Sequence, residues 1–290
     1  MEESRAIGAA REVPRAIDVA NFVRLEHTLF SLPLLFAGAL LAEQAWPSVR
    51  TSLLIVAAGT GARTAALALN RIIDRRIDAA NPRTRVRELP AGKLKIGQAW
   101  GVCVAGIALY LASAGLLGRL TLLLSPIPLI VFTCYPYLKR FTTLAHFGVG
   151  LGLALAPLGA WVAVTQRILP DLPIGLLTLF TLLWVAGFDI IYATLDIEFD
   201  RSHGLHSIPA RIGSKALLIA AFLHLLALLC LLALAMTSLD GFYRYYALGA
   251  VGVLFAVEHF FSRKVNFAFF HVNSVLGFFV LLFIVAGVQR

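Results

Sequence analysis

Two acidic motifs in this chain each place carboxylates four residues apart, at the end of a membrane-length apolar segment. The carboxylates are Asp74 and Asp78 in the first motif and Asp196 and Asp200 in the second. Side chains at this spacing share one face of a helix. Carboxylates at the edge of lipid are costly unless something compensates them. Two pairs facing one cavity would supply the hard oxygen ligands that suit Mg²⁺ bridging a phosphate. The spacing therefore indicates diphosphate chemistry at a membrane.

Further polar residues extend both helical stripes. Arg63 and Asn70 lie on the stripe of the first motif, and Asn70 offers a carbonyl oxygen to a metal. Asp189 and Tyr192 extend the second, and Asp189 is the deepest of these carboxylates. Asp189 either pairs with Arg63 or serves a substrate. Arg63 either forms a structural ion pair or binds a small anion, for instance the carboxylate of an aromatic acid.

Each motif also has a simpler interpretation. The first could be a helix end solvated by headgroups, with its Asp residues paired to Arg71, Arg75 or Arg76. Lys139 is a compact cation suited to a diphosphate, and Tyr135 brings a donor hydroxyl one turn earlier. Belts of aromatic and basic residues nevertheless mark many membrane edges. The basic loop that contains Arg87 could equally serve only to set topology.

The composition predicts an integral membrane protein. Hydrophobic residues make up 59% of the 290 residues and charged residues only 14%, against about 25% charged in a soluble domain. The apolar runs are continuous rather than alternating, so we expect an all-α bundle and reject a β-barrel. The net charge of +9 could indicate nucleic-acid binding, but topology explains it better. The three cysteines fall in predicted spans, which makes a disulfide framework unexpected.

We predict nine transmembrane helices in a single domain covering residues 1–290, with residues 1–18 as a cytoplasmic lead-in. The predicted spans are 19–43, 50–73, 95–117, 119–137, 143–164, 174–197, 214–237, 242–262 and 267–288. With the N-terminus inside, most of the 25 Lys and Arg residues fall on the inner side, as the positive-inside rule requires. The unusual residues gather in inner loops at about 74–94, 138–142 and 198–213, so we expect the active site on the cytoplasmic face.

The remaining polar residues give weaker signals. The seven histidines lack the spacing of metal ligands, and His224 is expected to be packed and hydrogen-bonded within its span. Asn266, His271 and Asn273 are candidates for lining the cavity. No phosphate-binding glycine loop, dinucleotide fingerprint or Ser/His/Asp arrangement is present in the sequence.

Taken together, these motifs resemble those of the UbiA superfamily of intramembrane aromatic prenyltransferases. The resemblance covers the whole length, and its closest likeness is to 4-hydroxybenzoate polyprenyltransferases. The family's first motif often has Asp directly after Asn, where this chain has Arg71. The segments Tyr135-Pro-x-x-Lys139-Arg140 and Arg87-x-Leu-Pro-x-Gly92 also match family signatures.

The resemblance implies a mechanism and a role for each residue. Two Mg²⁺ ions would bind a polyprenyl diphosphate through Asn70, Asp74, Asp78, Asp196 and Asp200. Lys139, Arg87 and Tyr135 would complete the diphosphate site, beside Tyr192 of the second motif. The allylic C–O bond would ionise, and the aromatic ring would attack the cation ortho to its hydroxyl. Asp189 or the diphosphate would remove the ring proton, Arg63 would hold the acceptor's carboxylate, and the tail would lie in an apolar groove open to lipid.

Several alternatives remain at this point. The acceptor is expected to be 4-hydroxybenzoate, for quinone biosynthesis, with a dihydroxynaphthoate for menaquinone as the second choice. A CDP-alcohol phosphotransferase needs its Asp pairs in one continuous motif, whereas here more than a hundred residues separate them. A transporter with acidic ion sites would place those sites near the bilayer midplane rather than at one surface.

Overall fold

The computed structural model describes residues 16–24, 28–262, 264–265 and 272–288. Within these ranges the chain is helical, with no β-strand. Asn266 and His271, two of the predicted cavity residues, lie outside the described residues, as do residues 1–15 of the predicted lead-in. The α-helices are α1 Ala16–Phe22, α2 Thr28–Glu43, α3 Val49–Ala80, α4 Ile96–Leu117, α5 Arg119–Leu124, α6 Pro126–Leu138, α7 Ala145–Thr165, α8 Leu172–Ala193, α9 Ile197–Ser202, α10 Ile208–Ile212, α11 Ala216–Ser238, α12 Arg244–Phe260 and α13 Asn273–Val288.

The all-helical membrane fold predicted from composition is confirmed. Every predicted span contains a helix, but only six helical segments in the described part of the chain are long and apolar enough to cross a bilayer. The helices in the first, eighth and ninth predicted spans are shorter, with 16, 17 and 16 residues. The six longer segments are Val49–Ala80, Ile96–Leu117, Arg119–Leu138, Ala145–Thr165, Leu172–Ser202 and Ile208–Ser238.

Small residues set the closest helix contacts. A Cβ atom built on Gly61 of α3 would lie 2.6 Å from the backbone nitrogen of Tyr110 and 2.7 Å from the carbonyl oxygen of Gly106, both in α4. A Cβ atom on Gly38 of α2 would lie 2.1 Å from the carbonyl oxygen of Pro157 in α7. Helices in membranes associate through such close backbone approach, because lipid provides no hydrophobic driving force between them. These glycines therefore bring α3 against α4 and α2 against α7.

A network of buried polar side chains joins four helices on one side of α8. The Trp184 indole N–H donates to Asn273 Oδ1 at 2.7 Å, and the Asn273 amide donates to Glu258 Oε1 at 2.8 Å. His224 contacts the Trp184 carbonyl oxygen at 3.1 Å and His259 at 2.9 Å. The prediction that His224 is packed and hydrogen-bonded is confirmed. The prediction that Asn273 lines the cavity is wrong, because this network holds its side chain inside the bundle.

Candidate active site

The first acidic motif lies on the last turns of α3, where its carboxylates are buried rather than solvated. Asp74 is 2% exposed, and its Oδ2 accepts a hydrogen bond from Lys139 Nζ at 2.6 Å. Arg140 Nη2 lies 3.5 Å from its Oδ1, and the Asn70 amide donates to Oδ2 at 3.4 Å. Burying a carboxylate requires this kind of compensation. Lys139 and Arg140 directly follow α6, so the end of that helix packs against the first motif.

The loop after α3 supplies the partners of the other charges in the motif. Arg87 Nη1 donates to both oxygens of Asp78, at 2.8 and 2.9 Å. Arg71 pairs with Glu88 of the same loop. The simpler interpretation, in which the Asp residues pair with arginines of their own helix, is therefore not what the structure shows.

The second motif does not lie on one continuous helix. α8 ends at Ala193, residues Thr194–Asp196 form a 3₁₀ turn, and α9 begins at Ile197. The expectation that Asp189, Asp196 and Asp200 share a helical face is therefore wrong. The tighter 3₁₀ geometry advances the chain by three residues per turn instead of 3.6, so the register changes between Asp189 and Asp200.

Asp196 nevertheless reaches the first motif through the loop that follows α3. Arg83 binds both oxygens of Asp196, with Nε at 2.9 Å from Oδ1, and its Nη1 donates to the Tyr192 hydroxyl at 2.6 Å. The Asn81 amide also donates to Asp196 at 2.8 Å. Burial acts to lower the pKa of Arg83, but the hydrogen bond to Asp196 and its interactions with Tyr192 outweigh this effect and raise the pKa. The two motifs therefore meet at one end of the bundle.

A short Asx turn explains how Arg83 reaches this position. Asn81 ends α3, and its side-chain oxygen accepts a hydrogen bond from the Arg83 N–H at 2.9 Å. Asn is favoured at such turns because its side chain mimics a backbone acceptor, and Pro82 prevents the helix from continuing. The turn directs the Arg83 side chain across to the second motif.

Asp200 and Asp189 have partners from other segments. The Ser207 hydroxyl donates to Asp200 Oδ2 at 2.8 Å. Asp189 Oδ2 lies 2.7 Å from His146 Nδ1, at the start of α7. Asp189 therefore pairs with His146, a partner that the spacing did not indicate. That Asp189 serves a substrate stays a prediction.

A cavity of about 320 Å³ lies among helices α2 to α8. Arg63, Tyr135 and Asp189 contribute polar groups to its wall, and Tyr135 is near enough to Asp74 and Asn70 to interact with both. Most of the other lining residues are apolar. The lining runs along α7 from residue 149 to residue 163, which at 1.5 Å per residue corresponds to about 20 Å. The cavity is therefore a long, mainly apolar pocket with polar residues beside the acidic motifs.

Comparison with known proteins identifies the family to which this architecture belongs. The model of the UbiA prenyltransferase family matches residues 31–268. The chain is a member of the UbiA prenyltransferase family. It is thus a membrane prenyltransferase, as the motifs led us to expect.

Curated relatives of this UbiA family member align over most of its length. The 4-hydroxybenzoate octaprenyltransferase of Pseudomonas aeruginosa (strain UCBPP-PA14) is 30% identical over 260 residues, covering 88% of this chain and 86% of the relative. The enzyme of the same name from Aliivibrio fischeri (strain ATCC 700601 / ES114) is 27% identical over 276 residues, covering 92% and 96%. Both alignments include the two acidic motifs.

Solved UbiA structures share the fold. The apo structure of a UbiA homolog from Aeropyrum pernix K1 matches with a TM-score of 0.83 and 35% identity, covering 90% of this chain and 98% of that one. A UbiA homolog from Archaeoglobus fulgidus, bound to GPP and Mg²⁺, matches with a TM-score of 0.68 and 18% identity, covering 93% and 98%. The second comparison supports the fold alone.

The acidic residues of this UbiA family member fit a magnesium–diphosphate complex in chemistry, although their carboxylates already have protein partners. Among the described residues, no three His, Cys, Asp or Glu side chains come close enough together to hold a metal ion. Asp74, Asp78 and Asp196 are each bound by a basic residue instead. Asp74 Oδ1 is buried and has no hydrogen bond among the described groups. Hard oxygen donors next to cations are the groups that a metal-bound diphosphate requires.

Sequence reasoning missed four residues that the structure brings into this site: Asn81, Arg83, His146 and Ser207. The Asn-Pro pair at the end of α3 could have indicated the turn that directs Arg83. His146 and Ser207 carry no comparable signal, because their partners lie on other segments. The eleven residues to which the resemblance gives a role lie at the cavity or where the motifs meet, and their individual roles remain predictions.

Proposed function

We propose that this protein transfers a prenyl group from an allylic prenyl diphosphate to the ring of an aromatic acid, with 4-hydroxybenzoate as the acceptor. One observation supports this most strongly: a long apolar pocket carries Arg63, Tyr135 and Asp189 beside a cluster of carboxylates and cations. The apolar length suits an isoprenoid tail, and the charged cluster suits its diphosphate. The names of the curated relatives favour the same acceptor.

The charged cluster would bind the diphosphate. Lys139, Arg87 and Arg83 now neutralise Asp74, Asp78 and Asp196, and these same cations can turn to phosphate oxygens. The freed carboxylates, with Asn70 and Asp200, would then hold two Mg²⁺ ions. Bound metal supplies positive charge that stabilises the departing diphosphate. The Tyr135 hydroxyl would donate to the same group.

The acceptor would occupy the polar part of the cavity. Arg63 would hold its carboxylate by charge-assisted hydrogen bonds. The allylic C–O bond breaks with its electron pair leaving on the diphosphate, and the ring carbon ortho to the hydroxyl forms the new C–C bond. The proton on that ring carbon passes to Asp189, and its electron pair restores the aromatic ring. The apolar wall excludes water and so protects the allylic cation from hydrolysis.

A reconstitution experiment tests this function. The purified protein is incubated in lipid nanodiscs with Mg²⁺, geranylgeranyl diphosphate and separate aromatic acids, including 4-hydroxybenzoate and 1,4-dihydroxy-2-naphthoate, and the products are read by mass spectrometry. We expect a prenylated 4-hydroxybenzoate whose formation stops with EDTA and in the Asp74→Ala and Asp196→Ala variants. Preferential prenylation of the naphthoate would show that the naphthoate, and not 4-hydroxybenzoate, is the acceptor. Wild-type turnover in either variant would remove that residue from the metal site.

A further inference from the structure

His146 is buried at the start of α7, where its side chain joins Asp189 of the cavity wall to the first residue of α10. Its side chain is 4% exposed. Its Nδ1 lies 2.7 Å from Asp189 Oδ2, and its Nε2 lies 3.2 Å from the backbone nitrogen of Ile208. Among the described residues, Asp189 forms its hydrogen bond through Oδ2 alone. Asp189 also lines the cavity, and its side chain is 25% exposed.

The contact with Ile208 fixes the tautomer of His146. A backbone N–H can only donate, so Nε2 must accept and carry no proton. The ring proton of a neutral imidazole then resides on Nδ1, which donates to Asp189. Such a second hydrogen bond sets both the tautomer and the orientation of an imidazole. His146 is thereby held as a fixed donor behind the Asp189 carboxylate.

The segment that holds His146 also contacts the diphosphate side of the site. The backbone N–H of His206 donates to the carbonyl oxygen of Lys139 at 2.7 Å. The Ser207 hydroxyl donates to Asp200 at 2.8 Å. The backbone N–H of Ile208 donates to His146. Three consecutive residues therefore connect the proposed diphosphate ligands to the carboxylate in the acceptor pocket.

We propose that His146 is a positioning residue for the proton transfer, a role that rests on the proposed function. The Nδ1–H fixes Oδ2 of Asp189, which leaves Oδ1 directed to the acceptor. When the ring carbon has bonded to the prenyl carbon, its proton passes to Oδ1 and its C–H electron pair returns to the ring. Without His146 the carboxylate could rotate, and proton removal would slow while binding of the prenyl diphosphate would not change.

Substitutions at position 146 test this role by kinetics. We compare His146→Leu with His146→Asn, whose amide keeps a donor near the position of Nδ1, and with the exposed control His203→Asn. We expect His146→Leu to lower kcat about ten- to hundredfold, less than the roughly hundred- to ten-thousandfold that a general base itself contributes, because Asp189 is still present. The KM for the prenyl diphosphate should stay within about twofold of wild type. His146→Asn should recover most of the rate, and His203→Asn should match wild type.

An isotope effect separates positioning from a purely structural role. The acceptor is deuterated at the ring carbons ortho to its hydroxyl, and the rate ratio of light to heavy acceptor is measured in each variant. Slower proton removal should give a larger ratio in His146→Leu than in wild type. An unchanged ratio with a reduced rate would show only a smaller active fraction and would overturn the proposal, as would a wild-type rate. If the proposed function is wrong, the wild type itself forms no ring-prenylated product.

If His146→Leu fails to fold, a backbone variant tests whether the Ile208 N–H fixes the tautomer of His146. Ile208→Pro removes the N–H that donates to Nε2, at the first position of α10, where proline is well tolerated. Ile208→Ala removes the same side chain but keeps the N–H, so it is the matched control. We expect the larger isotope ratio in Ile208→Pro only. Equal ratios in the two variants would show that the backbone contact does not orient His146.

Discussion

At the scale of single residues, Asp74 shows how this protein keeps a carboxylate within a membrane bundle. The side chain is almost fully buried, and its nearest cation is Lys139, which follows α6 and lies 65 residues further along the chain. An unpaired charge at this position would be far more costly than a paired one. The ion pair therefore contributes to folding as well as to the proposed chemistry.

A double-mutant cycle on Asp74 and Lys139 measures this contribution. Lys139→Met leaves a buried carboxylate without its closest cation, and we expect a loss of about 3 kcal/mol in stability. Because Asp74→Asn removes the charge that needed compensation, the double variant should be more stable than the sum of the single changes predicts. Unfolding in detergent without Mg²⁺ gives the energies, and the exposed Lys93→Met is the control. Strict additivity would contradict a direct coupling.

Arg63 offers a test of acceptor recognition. Arg63→Gln removes the charge proposed to hold the acceptor's carboxylate, and a hydrogen bond to a charged group contributes about 1.5–3 kcal/mol. We expect the KM for 4-hydroxybenzoate to rise at least about tenfold, while the KM for the prenyl diphosphate changes less than about twofold. Steady-state kinetics with each substrate varied in turn gives both constants. If both keep their wild-type values, Arg63 has a structural role.

The sequence revealed the acidic residues but not their partners. The carboxylates stand four residues apart on helices, so a local pattern identified them. Asp196 meets Arg83 across 113 residues, and Asp189 meets His146 across 43. Only the packing of helices brings these pairs together, and neither composition nor periodicity encodes which loops will meet.

At the scale of elements, the close contact between α3 and α4 depends on Gly61, which has no side chain. Gly61→Ala would push a methyl group into the backbone of α4, which cannot move aside as a flexible side chain could. We expect a loss of about 1–3 kcal/mol, typical of overpacking. Gly101 of α4 has open space around it, so Gly101→Ala should leave the melting temperature unchanged or higher. Thermal unfolding in detergent compares the two, and equal melting temperatures would contradict this explanation.

The ends of the elements were less predictable than their presence. The spacing of the first motif predicts that its helix continues beyond the span ending at residue 73, and α3 does continue to Ala80. The break in α8 after Ala193 is not predicted by the spacing of the second motif. The apolar pattern there continues into Leu195 and Ile197, so hydropathy gives no sign of the 3₁₀ turn.

At the scale of the whole molecule, we propose that the ends carrying both motifs face the cytoplasm. Lys and Arg gather at this end in the loops between helices, as the positive-inside rule requires. Lys93 lies in the exposed loop before α4, and Leu169 lies in the loop between α7 and α8. The two positions therefore belong to opposite ends of the bundle.

Cysteine labelling tests this orientation. Lys93→Cys and Leu169→Cys are made separately in a chain whose Cys103, Cys134 and Cys230 have been replaced by alanine. With a membrane-impermeant maleimide, we expect intact cells to label the cysteine at position 169 only. Permeabilising the membrane should then allow labelling of the cysteine at position 93 as well. The reverse pattern would place the motifs on the outer side and would refute the orientation.

The joining of a charged cluster to an apolar pocket has a consequence for how turnover ends. Under the proposed reaction, the inorganic product partitions into water, whereas the enlarged aromatic product partitions into hydrocarbon. Once they separate, the two rarely meet again at the same protein, so the reverse reaction is suppressed by dilution into different phases. The reaction would then be driven forward because the enzyme lies at the interface between water and lipid. The amount of bilayer available to dissolve the aromatic product would determine how far the reaction proceeds.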